Sequence, residues 1–81
     1  MNLFMPRIEI SLSQIQKNAQ FLSELYMGKG VSLMGVTKAV LGEPSVAKAM
    51  IQGGVKFIAD SRIENIVRMK KAGISIPFVL L

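Results

Sequence analysis

Three helix-to-strand junctions in this chain share one device, a glycine followed directly by a β-branched residue: Gly30-Val31, Gly54-Val55 and Gly73-Ile74. Glycine stops a helix in a backbone conformation that side chains resist, and a β-branched residue then favours an extended run. Apolar runs follow the junctions and amphipathic segments fill the gaps, so the chain reads β-α-β-α-β-α-β. Runs that start near residues 31, 55 and 76 leave room only for direct right-handed crossovers. The expected fold is therefore α/β, a parallel sheet in order 1-2-3-4 that makes the first half of a (β/α)8 TIM-type barrel.

The first strand is expected over Arg7-Ile8-Glu9-Ile10-Ser11, whose residues alternate in polarity. A capping box, Ser13 with Gln16 or Ser11 with Gln14, then opens a helix that carries Ile15, Ala19, Leu22 and Tyr26 on one core face. The second strand spans residues 31–37. Gly42-Glu43-Pro44 makes a loop with proline at the first helical position, where its missing N–H costs nothing. Val46, Ala47, Met50 and Ile51 give the second helix its buried stripe, and Gly53-Gly54 ends it. A third strand over residues 55–59 leads to a capping box at Ser61 and Glu64, and to a third helix with Ile63, Ile66, Val67 and Met69 inside. The run at residues 76–81 is the fourth strand. It ends inside an apolar segment, so the chain reads as cut short. The resulting unpaired strand edges predict a homo-oligomer or a swapped assembly.

At 81 residues the chain holds one small domain, residues 1–81. A chain of this size buries only about 60% of its unfolded surface, so its core needs help. It has no cysteine and no histidine, which excludes disulfides, thiolate metal sites and imidazole chemistry. The amino terminus has neither the basic flank nor the apolar length of a signal or a membrane span, and the expected location is cytoplasmic. Ten Lys and Arg against five Asp and Glu give a net charge of +5, but the basic residues are scattered. Only Arg68, Lys70 and Lys71 cluster, at a helix end where such charges complement the macrodipole and stay solvated. With one tyrosine and no tryptophan, no stacking platform for nucleic acid is expected.

Lys38 closes the second strand and so sits at its carboxyl end, the catalytic face of barrel-like α/β folds. A lysine amine attacks a carbonyl only where its surroundings favour the neutral form, and a buried strand beside it would do that. The competing reading is a solvated loop lysine. Asp60, Ser61 and Arg62 follow the third strand and are expected on the same face. They are either parts of a helix cap or the substrate side of a pocket, where arginine pairs with a carboxylate in bidentate fashion. Gly28-Lys29-Gly30 lacks the spacing of a phosphate loop and sits at a helix end.

Read together, Arg7-Ile8-Glu9-Ile10-Ser11-Leu12, Gly35-Val36-Thr37-Lys38-Ala39 and Ile58-Ala59-Asp60-Ser61-Arg62-Ile63-Glu64-Asn65 resemble the amino-terminal barrel domain of the alanine racemase superfamily. These are the fold-type-III pyridoxal 5'-phosphate (PLP) enzymes. The likeness is greatest to the alanine/ornithine racemase branch. It implies a PLP-dependent amino-acid racemase, an isomerase, with ornithine or another basic amino acid as substrate. It implies that Lys38 binds PLP as the internal aldimine and acts as one of two bases. The other base would be a tyrosine from a carboxy-terminal domain, reached across a dimer. Tyr26, the only tyrosine here, is a poor substitute. Alanine racemases proper carry a tyrosine four residues after the lysine that helps to hold the phosphate, and this chain has Gly42 there, which disfavours alanine. The other phosphate contacts come from later strands, so the chain alone should bind PLP weakly and be inactive.

Two other readings compete. A PLP-binding carrier or homeostasis protein of the related single-barrel family would keep the lysine, but it usually has a Phe-Gly-Glu-Asn-like segment where this chain has Ile58-Ala59-Asp60-Ser61. A half-barrel that only mediates association would bind no ligand.

Overall fold

The computed structural model describes residues 11–81 and contains α1 (Leu12–Met27), β1 (Met34–Val36), a 3-10 turn (Lys38–Val40), α2 (Pro44–Gln52), β2 (Phe57–Asp60), α3 (Ile63–Lys71) and β3 (Phe78–Leu80). The expected strand at residues 7–11 lies outside the described residues, apart from Ser11. That serine caps α1, its hydroxyl accepting from the Gln14 N–H at 3.3 Å. The three strands form one parallel sheet in order β1-β2-β3, as consecutive right-handed crossovers require.

All three junction glycines have positive φ: 71° at Gly30, 108° at Gly54 and 94° at Gly73. Each therefore reverses the chain out of a turn in a conformation that L side chains resist. The strands are shorter than expected. β1 does not begin at Val31, which is half exposed, and its first rung is Lys56 N–H to the Leu33 carbonyl at 3.0 Å. At the other end, Pro77 has no N–H to give the ladder, yet its carbonyl accepts from Ile58.

Register sets which residues share a face. Gly35, Ile58 and Phe78 are paired neighbours and face the helices. Fully buried Ile58 packs there with Ala47, Val55, Met69 and Ile74. On the opposite face Met34 and Val36 are 45% and 44% exposed, so β1 is not the buried strand its apolar sequence suggests. Ala59, paired with Val36 on the same face of β2, is wholly buried, so the exposure lies on the β1 side.

The helix stripes are also narrower than their periodicity implies. Among the described side chains of α1 only Ala19 is buried, while Leu22 and Tyr26 are exposed. α1 approaches so closely that a Cβ at Gly53 would lie 2.5 Å from both Ala19 Cβ and the Gln16 carbonyl. Small residues at this crossing replace the large apolar contacts expected. In α2 Pro44 stands at the first helical position, the Glu43 carboxylate accepts from the Ser45 N–H, and Val46, Ala47 and Ala49 are buried. In α3 Met69 and Asn65 are buried, whereas Ile63 and Val67 are exposed. Among the described residues no helix is long and apolar enough to cross a membrane, and no group of three His, Cys, Asp or Glu side chains could hold a metal ion.

Candidate functional site at the carboxyl ends of the strands

A parallel sheet delivers the residues that follow each strand to one end, and here those are Thr37 and Lys38 after β1 and Ser61 and Arg62 after β2. Thr37 extends the ladder by one rung, its N–H donating to the Ala59 carbonyl at 3.0 Å. The chain then leaves the sheet in a tight turn. Val40 and Gly42 both donate their N–H to the Thr37 carbonyl at 3.0 Å, so both arms of the turn hang from one atom. Leu41 takes the left-handed conformation at φ 57°, and Gly42 follows at φ 64°. Lys38 opens this turn and is exposed.

Beneath the lysine is a buried polar cluster. The Thr37 hydroxyl donates to Asp60 Oδ2 at 2.8 Å. Asp60 Oδ1 accepts from the Arg62 N–H at 2.9 Å and from Asn65 Nδ2 at 3.1 Å. Thr37 and Asp60 are wholly buried and Asn65 nearly so. Burial alone pushes the Asp60 carboxyl up, but the donors from Arg62, Thr37, Asn65 and Ser61 outweigh it and hold the group below the ordinary aspartate value.

This cluster corrects the expected capping box. α3 has its N-cap at Arg62 with no side-chain cap hydrogen bond, and Ser61 and Glu64 do not form the pair. The Asp60 carboxylate takes the Arg62 N–H in its place. Of the expected site residues, Lys38, Ser61 and Arg62 are exposed at this end of the sheet, and Asp60 is enclosed with both oxygens occupied by protein donors.

Sequence reasoning missed Thr37, Asn65 and Arg68. Arg68 is not merely solvated, since its Nη1 donates to the Leu41 carbonyl at 2.8 Å. The available signal for Asn65 was its place four residues before Met69, a polar residue on the buried face of a helix. Tyr26 stands at the carboxyl end of α1, the end that leads into the start of β1, and so lies away from Lys38. A cleft of about 340 Å³ lined by Ser23, Val31, Leu33 and Lys56 also opens at the amino-terminal ends of the strands, on the far side from the lysine.

The donor chemistry suits a carbonyl cofactor. An exposed primary amine at the carboxyl ends of parallel strands, on a turn fixed at both arms, is open to an aldehyde such as that of PLP, while the burial expected beside Lys38 is not found because β1 exposes Met34 and Val36.

Comparison with known proteins yields consistent likenesses. The family model for the alanine racemase N-terminal domain matches residues 10–81. Over 76 residues the chain is 43% identical to lysine racemase from Thermotoga maritima, covering 94% of this chain and 22% of that protein. Over 78 residues it is 32% identical to alanine racemase 2 from Caldanaerobacter subterraneus subsp. tengcongensis, covering 93% of this chain and 20% of that protein. The chain thus spans about a fifth of the length of these curated relatives. The crystal structure of alanine racemase from Bacillus anthracis with bound L-Ala-P superposes with a TM-score of 0.76 at 21% identity, over 95% of this chain and 22% of that one. That last likeness is one of fold.

Proposed function

This chain belongs to the alanine racemase family, as part of its N-terminal domain, and from that premise we propose that it is the amino-terminal part of a PLP-dependent racemase of basic amino acids, lysine or ornithine, working as a cytoplasmic homo-oligomer. The observation that carries the proposal is Lys38, an exposed amine at the carboxyl end of β1 in a chain of this family.

When bound, PLP supplies the electron sink that makes the proton on a substrate Cα labile. Lys38 Nζ would hold the aldehyde of that cofactor, and the Lys38 amine, when free, would take up or give back the substrate Cα proton on one face. A second base on the other face comes from outside this chain. Arg62, exposed after β2, offers its guanidinium to the substrate carboxylate, and Ser61 lies next to it. Asp60 works beneath this surface. The apolar face formed by exposed Met34 and Val36 is left for other protein to cover, which supports a larger assembly.

Likeness to a lysine racemase at 43% identity supports a basic substrate. So does Gly42. A Cβ there would lie 2.4 Å from Asn65 Cβ, so the tyrosine expected at this position in alanine racemases has no room on this turn. The test is racemisation of lysine, ornithine and alanine by the protein that carries this chain, followed by chiral chromatography. Lysine or ornithine should turn over ahead of alanine, and Lys38→Ala should abolish the reaction. Equal or greater turnover of alanine would reject the substrate assignment, and activity that survives Lys38→Ala would reject the mechanism.

A further inference from the structure

The turn that presents Lys38 is held from the side by α3, through three contacts that a solvated loop lysine does not need. First, Thr37, whose carbonyl carries both arms of the turn, is fixed at its hydroxyl by Asp60, and Asp60 is fixed by Asn65 of α3. Second, Gly42 sits directly on Asn65: the space its Cβ would fill is occupied by Asn65 Cβ at 2.4 Å and Cγ at 2.8 Å. Third, Arg68 reaches across from α3 to the Leu41 carbonyl at 2.8 Å. Leu41 holds a left-handed conformation that is costly for a branched side chain and persists only where its surroundings over-determine it. Here the fixed neighbours are Arg68 on its carbonyl and Gly42 seated on Asn65.

We propose that α3 is a brace for the Lys38 turn, with Asn65, Asp60 and Arg68 acting as positioning residues that hold the lysine amine where its carbonyl partner binds. The proposal rests on the reading of Lys38 as the cofactor lysine. Asn65 and Asp60 also hold the fold together, but Arg68 is exposed and touches the turn at one carbonyl, so it separates positioning from stability. A brace of this kind matters because reacting groups must be held within a fraction of an ångström to react efficiently.

The experiment compares the unsubstituted protein with Arg68→Met and Arg68→Lys. Each is incubated with PLP, reduced with borohydride, and mapped by peptide mass spectrometry. Amide hydrogen exchange is measured in parallel. In the unsubstituted protein Lys38 should be labelled ahead of other lysines such as Lys29 and Lys48. Arg68→Met should lower that preference about threefold to tenfold, the effect of losing one solvent-exposed hydrogen bond of ordinary net strength. It should also speed exchange at residues 40–42 alone, with the melting temperature and the labelling of Lys29 and Lys48 unchanged. Arg68→Lys, which keeps a donor, should restore part of the preference. Unchanged Lys38 preference with unchanged exchange at Gly42 in Arg68→Met would overturn the brace. If the unsubstituted protein shows no preference for Lys38, the cofactor reading fails instead, and the exchange at Gly42 still decides whether α3 holds the turn.

Discussion

Replacing Asp60 with alanine removes the acceptor for the Thr37 hydroxyl, the Arg62 N–H and the Asn65 amide in one step. Hydrogen bonds to a charged group contribute about 1.5–3 kcal/mol each. The three do not add in full. The Arg62 N–H is only part-buried and reaches water, and the Thr37 hydroxyl retains a longer contact with the Ala59 carbonyl at 3.4 Å. Asn65 has no such outlet. The expected loss is about 3–5 kcal/mol, less than the full sum of three such bonds. Asp60→Asn keeps the shape and one acceptor oxygen, and should cost only about 1–2 kcal/mol. The charge adds a pH signature. Because the folded carboxyl lies below its ordinary value of about 3.9, its contribution is complete above that value and fades as the pH falls through the folded one. Urea unfolding followed by circular dichroism, at neutral pH and in steps down to about pH 2, measures both effects. The gap between the unsubstituted chain and Asp60→Asn should close on acidification. A loss below about 1 kcal/mol for Asp60→Ala, or a gap that ignores pH, would refute the reasoning.

Gly53→Ala should cost more than Gly35→Ala in the same assay. At Gly53 the new Cβ meets helix backbone, the Gln16 carbonyl at 2.5 Å, whereas at Gly35 it meets the movable Met50 Sδ at 2.7 Å and costs about 1–3 kcal/mol. Met69→Ala should cost about 2–5 kcal/mol because the side chain is wholly buried. Ile63→Ala should stay within about 0.5 kcal/mol, since Ile63 is 63% exposed despite its place in the apolar repeat of α3.

Much of the architecture was legible because it rests on local chemistry. The Gly-β-branched junctions, Pro44 at a helix start and Ser11 as a cap each follow from the backbone preferences of single residues, and strand order follows from crossover length. Burial was less legible. The repeats Leu22 and Tyr26 in α1 and Ile63 and Val67 in α3 have the period of a core face, yet periodicity does not say whether a partner layer exists, and among the described residues none covers them. The place of Lys38 at the carboxyl end of β1 was legible because the apolar run stops there. The network beneath it was not. Asp60 and Ser61 look like a helix cap in sequence, and only the pairing of β1 with β2 brings Thr37 within reach of Asp60. The contact between Gly42 and Asn65 depends in the same way on how α3 returns over the sheet, a distance no local pattern encodes.

The most direct test of the central claim is to find where PLP attaches. The protein that carries this chain is incubated with the cofactor, reduced with borohydride, digested and mapped by mass spectrometry, with Lys38→Ala as control. The account predicts a dominant pyridoxyl adduct at Lys38 that disappears in the variant. Labelling spread evenly over Lys29, Lys48, Lys56 and the other lysines, and unchanged by Lys38→Ala, would contradict it.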